Sequence, residues 1–113
     1  MRSSIIVKTS FNAEHRYLDA PDEVKFLRDW HPHVFNVEAE IEVPSLNRSL
    51  EFFMVKREMD KMIAKRFPKQ FELSCEQIAK GIFEDLSLKY GVDRKYIVTV
   101  GEDYVNAGRY YGF

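Results

Sequence analysis

From His31 to Val43 the chain alternates almost without exception. His31, His33, Phe35, Val37, Ala39, Ile41 and Val43 occupy the odd positions, and Asn36, Glu38, Glu40 and Glu42 the even ones. Successive side chains in a strand point to opposite faces, so the pattern predicts a strand over 33–43 with one apolar and one acidic side. Such a strand needs a sheet with a core on one face only. His31 and His33 lead onto the apolar face, where an imidazole needs a partner.

The rest of the chain supplies that sheet and its cover. Ser4 to Phe11 is rich in β-branched residues and predicts a first strand, broken near Asn12. Residues 16–30 are polar and irregular, and Asp19-Ala20-Pro21-Asp22-Glu23 is turn chemistry. A connection of that length inside a compact domain is more often functional than idle. Pro44 ends the second strand.

A helix is expected over 50–67, with Phe53, Met59, Met62, Ile63 and Phe67 on its apolar side and Pro68 closing it. Ser74-Cys75-Glu76-Gln77 reads as a capping box opening a second helix, whose stripe is Ile78, Ile82, Phe83 and Leu86. Gly91 is its expected stop. Strands are expected over 95–102 and 108–113. Paired strands, then paired helices, then paired strands argue for an α+β domain spanning 1–113, with an antiparallel four-stranded sheet and two helices on one face. The two edges of such a sheet favour joining subunits, so a homo-oligomer is expected.

Composition narrows the function classes. Seventeen Lys and Arg against eighteen Asp and Glu leave a net charge of −1, without the basic stripe that nucleic acid requires. The single cysteine, Cys75, excludes an internal disulfide and suits a reducing cytoplasm. No apolar run approaches membrane-spanning length, and the first residues lack the apolar core of a secretory signal. The expectation is a soluble, cytoplasmic protein with neither nucleic acid nor membrane as partner.

Two readings of the histidines compete. They are strand-head histidines with satisfied hydrogen bonds, or His31 and His33 are joined by His15, which shares parity with Phe11 and Ala13 on the neighbouring strand. Three imidazoles meeting across one ladder would make a zinc site with an open position. Glu102 is in phase with Val98 and Val100, so it either extends the apolar face towards a partner or ligand or ends the strand in water. Glu76 sits in the first turn of the second helix, where the helix dipole alone favours an acid.

Four blocks in order resemble one family. Phe11-Asn12-Ala13-Glu14-His15 and His31-Pro32-His33-Val34-Phe35 are similar to the Phe-x-Ala-Ala-His and His-Gly-His-x-aromatic pair of the 6-pyruvoyl-tetrahydropterin synthases, a family that includes the bacterial 6-carboxytetrahydropterin synthases. Leu73-Ser74-Cys75-Glu76-Gln77-Ile78-Ala79 resembles its Pro-Thr-x-Glu-Asn-Ile-Ala helix opening, and Val98-Thr99-Val100-Gly101-Glu102 its late strand ending in glutamate. The resemblance implies a tunnelling fold of β-β-α-α-β-β subunits, joined through their sheets into a trimeric or hexameric barrel. It implies Zn2+ on His15, His31 and His33, and a pterin ring held by Glu102; Glu76 is a further candidate substrate contact. The chemistry implied is that of a zinc-dependent lyase acting on 7,8-dihydroneopterin triphosphate or a related pterin.

The chain departs from that family at its proton-transfer residues. The lyase cysteine, four residues before the first histidine of the pair, is replaced by Leu27, and no Asp-His pair lies between the helices. With all three histidines assigned to metal, no histidine remains as a base. Family members with glutamate in place of the cysteine exist, which makes Asp29 and Glu23 the candidate proton carriers. Lys25, Arg28, Lys56 and Arg57 are either triphosphate contacts or solvated surface charges. The alternative function is a catalytically altered member that serves as a pterin- or purine-binding or scaffold protein. A cupin, which also begins with His-x-His and a nearby glutamate, is disfavoured because Glu38 has the opposite parity and no histidine follows His33.

Overall fold

The structure, a computed structural model, describes residues 2–112; the first and last residues, including the end of the strand expected over 108–113, lie outside the described residues. The chain runs β1 (Ser3–His15), a 3-10 helix (Asp22–Arg28), β2 (His31–Val43), α1 (Phe52–Arg66), β3 (Gln70–Phe71), α2 (Cys75–Tyr90), β4 (Tyr96–Glu102) and β5 (Asn106–Gly112). The sheet order is β3-β1-β2-β4-β5. All neighbours are antiparallel except β1 and β3. The α+β class therefore holds, with five strands where four were expected.

The extra strand is β3. After Pro68 the chain is extended for two residues and lies parallel to the end of β1, pairing Glu14 with Gln70 and His15 with Phe71. A pairing that short carries no periodicity to read. The first strand is also longer than expected, running through Asn12 to His15. The reason is its partner: β2 offers a ladder along the whole length, from Ser3 opposite Val43 to His15 opposite His31. Residues 16–30 are not wholly irregular, since a 3-10 helix with a kink at Val24 occupies 22–28.

The alternation in β2 is reproduced in burial. Phe35, Val37, Ala39, Ile41 and Val43 are buried, and Asn36, Glu38, Glu40 and Glu42 lie on the other face. There Lys8 pairs with Glu38 at 3.6 Å and Ser4 donates to Glu40 at 3.2 Å, so the outer face is held by cross-strand polar pairs. The inner face packs on the helices through one cluster that includes Phe35, Ile41, Met59, Ile78, Ile82, Leu86, Tyr96 and Val98.

In α1 the buried residues are Val55, Met59 and Ile63, continued by Phe67. Phe53, expected on that stripe, is 74% exposed. Glu51 caps the helix by accepting from the amides of Phe53 and Met54, which places Phe53 in the first turn and aims the i, i+4 row starting at Val55 at the sheet. The second helix follows the expectation closely. Ser74 accepts from the Gln77 amide while the Gln77 side chain accepts from the Ser74 amide. Gly91 ends it at φ +115°. Among the described residues no helix is long and apolar enough to cross a membrane.

Candidate metal centre and its cleft

The register of three strands assembles the site. His15 on β1 stands directly opposite His31 on β2, and Ala13 stands opposite His33. On the far side of β2, Phe35 stands opposite Glu102 of β4. His15, His31, His33 and Glu102 thus occupy one end of the inner face, above the ring of Phe35. That ring is fully buried and contacts His15 at 5.4 Å and His33 at 5.8 Å between centroids.

The three histidines each offer a ligand nitrogen, and these lie within 4.8 Å of one another. The other side of each ring is engaged by protein. His31 Nδ1 is 2.7 Å from the Asp29 carbonyl oxygen, and His33 Nδ1 is 2.5 Å from Asp103 Oδ2. A carbonyl and a carboxylate only accept, so both Nδ1 atoms carry the hydrogen. His15 meets the backbone of Leu73. In the neutral ring the lone pair then sits on Nε2, and the Nε2 atoms of His31 and His33 are buried and without a hydrogen-bond partner. Buried imidazole nitrogens with a free lone pair are costly unless something fills the gap. A divalent cation bound by nitrogen fits that arrangement.

Burial, followed by the neighbouring histidines and opposed by Glu102, holds His15 below the ordinary imidazole value. A neutral ring is the form that binds metal. The Val34 amide and His33 hold the Asp103 carboxyl below the usual carboxylate range. Glu102 lies beside two of the rings, with Oε1 3.5 Å from His15 Nε2 and Oε2 3.7 Å from His33 Nε2.

A cleft of about 710 Å³ opens beside Glu102 and His15. Leu27, Cys75, Glu76 and Gly108 are among the residues that line it. Along one wall β5 comes close to the start of α2. A Cβ on Gly108 would sit 2.9 Å from the Glu76 backbone nitrogen. Cys75 Sγ lies 3.7 Å from Glu102 Oε1. Burial, then the Glu102 carboxylate, pushes this thiol up to about 12, so it stays protonated at neutral pH.

The structure brings together His15, His31, His33, Glu102 and Glu76. Glu23 and Asp29 sit on the 16–30 segment, and neither lines the cleft. Asp29 reaches the site through its backbone carbonyl instead. Leu27 does line it, placed there by the Tyr17 amide donating to the Leu27 carbonyl at 2.7 Å. Of the basic residues weighed as phosphate contacts, Arg28 is tied to the Ala20 carbonyl and Asp22, and Lys56 to Asp60. None of the four lines the cleft, whereas Arg16 does. Arg16 lies 4.4 Å over the Trp30 ring and donates to Glu72 at 2.8 Å. Sequence reasoning missed Arg16 and Asp103. Their only sequence signal is adjacency, since each directly follows a site residue.

No family model matches the sequence, and no curated protein matches it either. Solved structures do match. A 6-pyruvoyl tetrahydropterin synthase from Plasmodium falciparum superposes with a TM-score of 0.74 at 16% identity, covering 99% of this chain and 98% of that one. A Plasmodium vivax 6-pyruvoyltetrahydropterin synthase in which a glutamate described as a catalytic residue is replaced by alanine gives 0.69 at 16% identity, covering 99% and 98%. An uncharacterised Wolinella succinogenes protein gives 0.76 at 16% identity, covering 100% and 99%. Over essentially its whole length, then, this chain has the fold of the 6-pyruvoyl tetrahydropterin synthase structures.

Proposed function

We propose that this protein is a zinc-dependent pterin protein of the 6-pyruvoyl-tetrahydropterin synthase type, acting in the cytoplasm on 7,8-dihydroneopterin triphosphate or a related pterin. The observation that carries this reading is the set of three histidines whose ligand nitrogens lie within 4.8 Å of one another beside the Glu102 carboxylate, with the Nε2 atoms of His31 and His33 buried and unpartnered. His15, His31 and His33 would hold the ion. Bound there, zinc would polarise hydroxyl or carbonyl oxygens of the pterin side chain.

The chain's own residues supply the rest. Glu102 would accept from the adjacent N–H donors of the pterin edge, a match to its two oxygens. Glu76 would be a further contact from the opposite wall of the cleft. Asp29 or Glu23 would carry the proton, moving in with the 16–30 segment. The open edges of the sheet, β5 on one side and the stretch of β1 before Glu14 on the other, support assembly into a trimer or hexamer.

One observation favours a second reading, in which the protein binds a pterin or purine without turning it over. At the resemblance's cysteine position stands Leu27, which lines the cleft, and the one thiol nearby is held protonated. The deciding experiment measures zinc in the purified wild-type protein and in His31→Ala, alongside mass-spectrometric turnover of dihydroneopterin triphosphate. Metal in the wild type, its loss in the variant and product formation are expected. Metal retained by His31→Ala would overturn the ligand set. Pterin binding without product, abolished by Glu102→Gln, would establish the second reading.

A further inference from the structure

The turn between β4 and β5 is built in an unusual conformation. Asp103 and Tyr104 both have left-handed backbone, with φ +51° and +62°. Aspartate tolerates that region, but tyrosine does so only under constraint from its surroundings. The constraint is a set of links to β2. The Asp103 amide donates to the Val34 carbonyl at 2.8 Å, and the Val34 amide donates to Asp103 Oδ1 at 2.8 Å. The Tyr104 amide donates to Asn36 Oδ1 at 3.0 Å. Asn36 can lie there because residue 101 is glycine: a Cβ would be 2.7 Å from Asn36 Nδ2. The result is a carboxylate with one oxygen on the β2 backbone and the other on His33 Nδ1.

We propose that Asp103 is the positioning residue of the metal site. It locks His33 in the form that carries hydrogen on Nδ1 and turns Nε2 towards His15 and His31, and it thereby sets metal affinity. The inference rests on the metal reading given above and deepens it. Of the three rings, His31 leans on a carbonyl and His15 on the Leu73 backbone. His33 leans on a negative charge, which makes its free nitrogen the stronger donor. The division of labour within the carboxylate is strict. Two donors, the Val34 amide and His33 Nδ1, face two acceptor oxygens. An asparagine has one acceptor oxygen and would leave one donor facing an NH2 group. Because Asp103 directly follows Glu102, one turn delivers both the carboxylate that faces the cleft and the one that stands behind the metal ligand.

The test uses Asp103→Asn and Asp103→Ala in the full chain, with circular dichroism to confirm folding; the near-isosteric Asn variant serves should the Ala variant unfold. In metal-free protein, nitrogen–proton correlation spectra of the imidazole rings report which nitrogen of His33 carries hydrogen. Cobalt(II) affinity is measured by competition with a chromophoric chelator. In both variants His33 is expected to lose its single Nδ1–H form while His15 and His31 keep their signals, and cobalt affinity is expected to fall about 10- to 100-fold. Unchanged His33 signals, or affinity within about twofold of wild type, would overturn the proposal. Should wild-type protein bind no cobalt, the metal reading falls by itself, and the His33 signals alone decide the role of Asp103.

Discussion

Cys75 donates its thiol hydrogen to Glu102, with Sγ 3.7 Å from Oε1. This contact ties the first turn of α2 to the end of β4 across the floor of the cleft. It also adds to what holds the cysteine as a thiol, because burial first and then the neighbouring carboxylate oppose thiolate formation.

Cys75 is therefore expected to resist alkylation. With its value raised from 9.0 to about 12, the native thiol at pH 8 should react with iodoacetamide roughly a thousandfold more slowly than in the unfolded chain. The same shift has a consequence for stability. A thiol that ionises near 9 when unfolded and near 12 when folded contributes stability that is fully present below pH 9 and is lost as pH rises towards 12. Denaturant midpoints measured from pH 7 to 11 should fall more steeply for wild type than for Cys75→Ala.

Phe35 is the support beneath the histidines. Its ring is fully buried and stacks on Phe11 at 5.3 Å besides touching His15 and His33. Phe35→Ala should cost about 3–5 kcal/mol in urea unfolding, the range for emptying an aromatic site in a core. The cavity would lie directly under His15 and His33, so metal affinity should fall in the same variant even where it remains folded.

Gly108→Ala tests the close approach of β5 to α2. The added Cβ would meet Glu76 Oε1 at 2.6 Å, which a side chain can relieve by turning away, and the Glu76 backbone nitrogen at 2.9 Å, which it cannot. A loss of about 1–3 kcal/mol is expected from forced separation of the two elements. Faster alkylation of Cys75 should accompany it, as the cleft wall opens.

Ser74→Ala removes one half of the capping box at the head of α2. The Gln77 amide would lose its acceptor, and thermal unfolding should report a loss of about 0.5–2 kcal/mol. Ser74→Asp, which keeps an acceptor and adds a charge favourable to the helix dipole, should restore most of it.

Much of the site was legible because it depends on parity. In a strand the side-chain period is two, so the spacing of His31 and His33 determines that they share a face with Phe35 and Val37 wherever the strand is placed. The same reasoning put Glu102 in line with Val98 and Val100. Helix signals were equally local: Ser74 with Gln77, and Gly91 at the end, act through neighbours a few residues away. Where an end depended on a distant partner, reading failed. β1 continues past Asn12 because β2 is there to pair with it, and β3 exists because β1 is. Phe53 faces water because the cap at Glu51 sets where the helix begins, and that sets which residues its buried row contains.

Alternation and capping, then, were determined by the sequence alone, since each is a property of adjacent residues and of backbone geometry. The convergence of His15 with His31, the approach of Gly108 to Glu76 and the attachment of Asp103 to His33 were decided only by the tertiary structure. The last joins residues seventy positions apart through a left-handed turn whose strain is held by hydrogen bonds to another strand. No local preference of Asp103 specifies that partner; the register of β2 against β4 does.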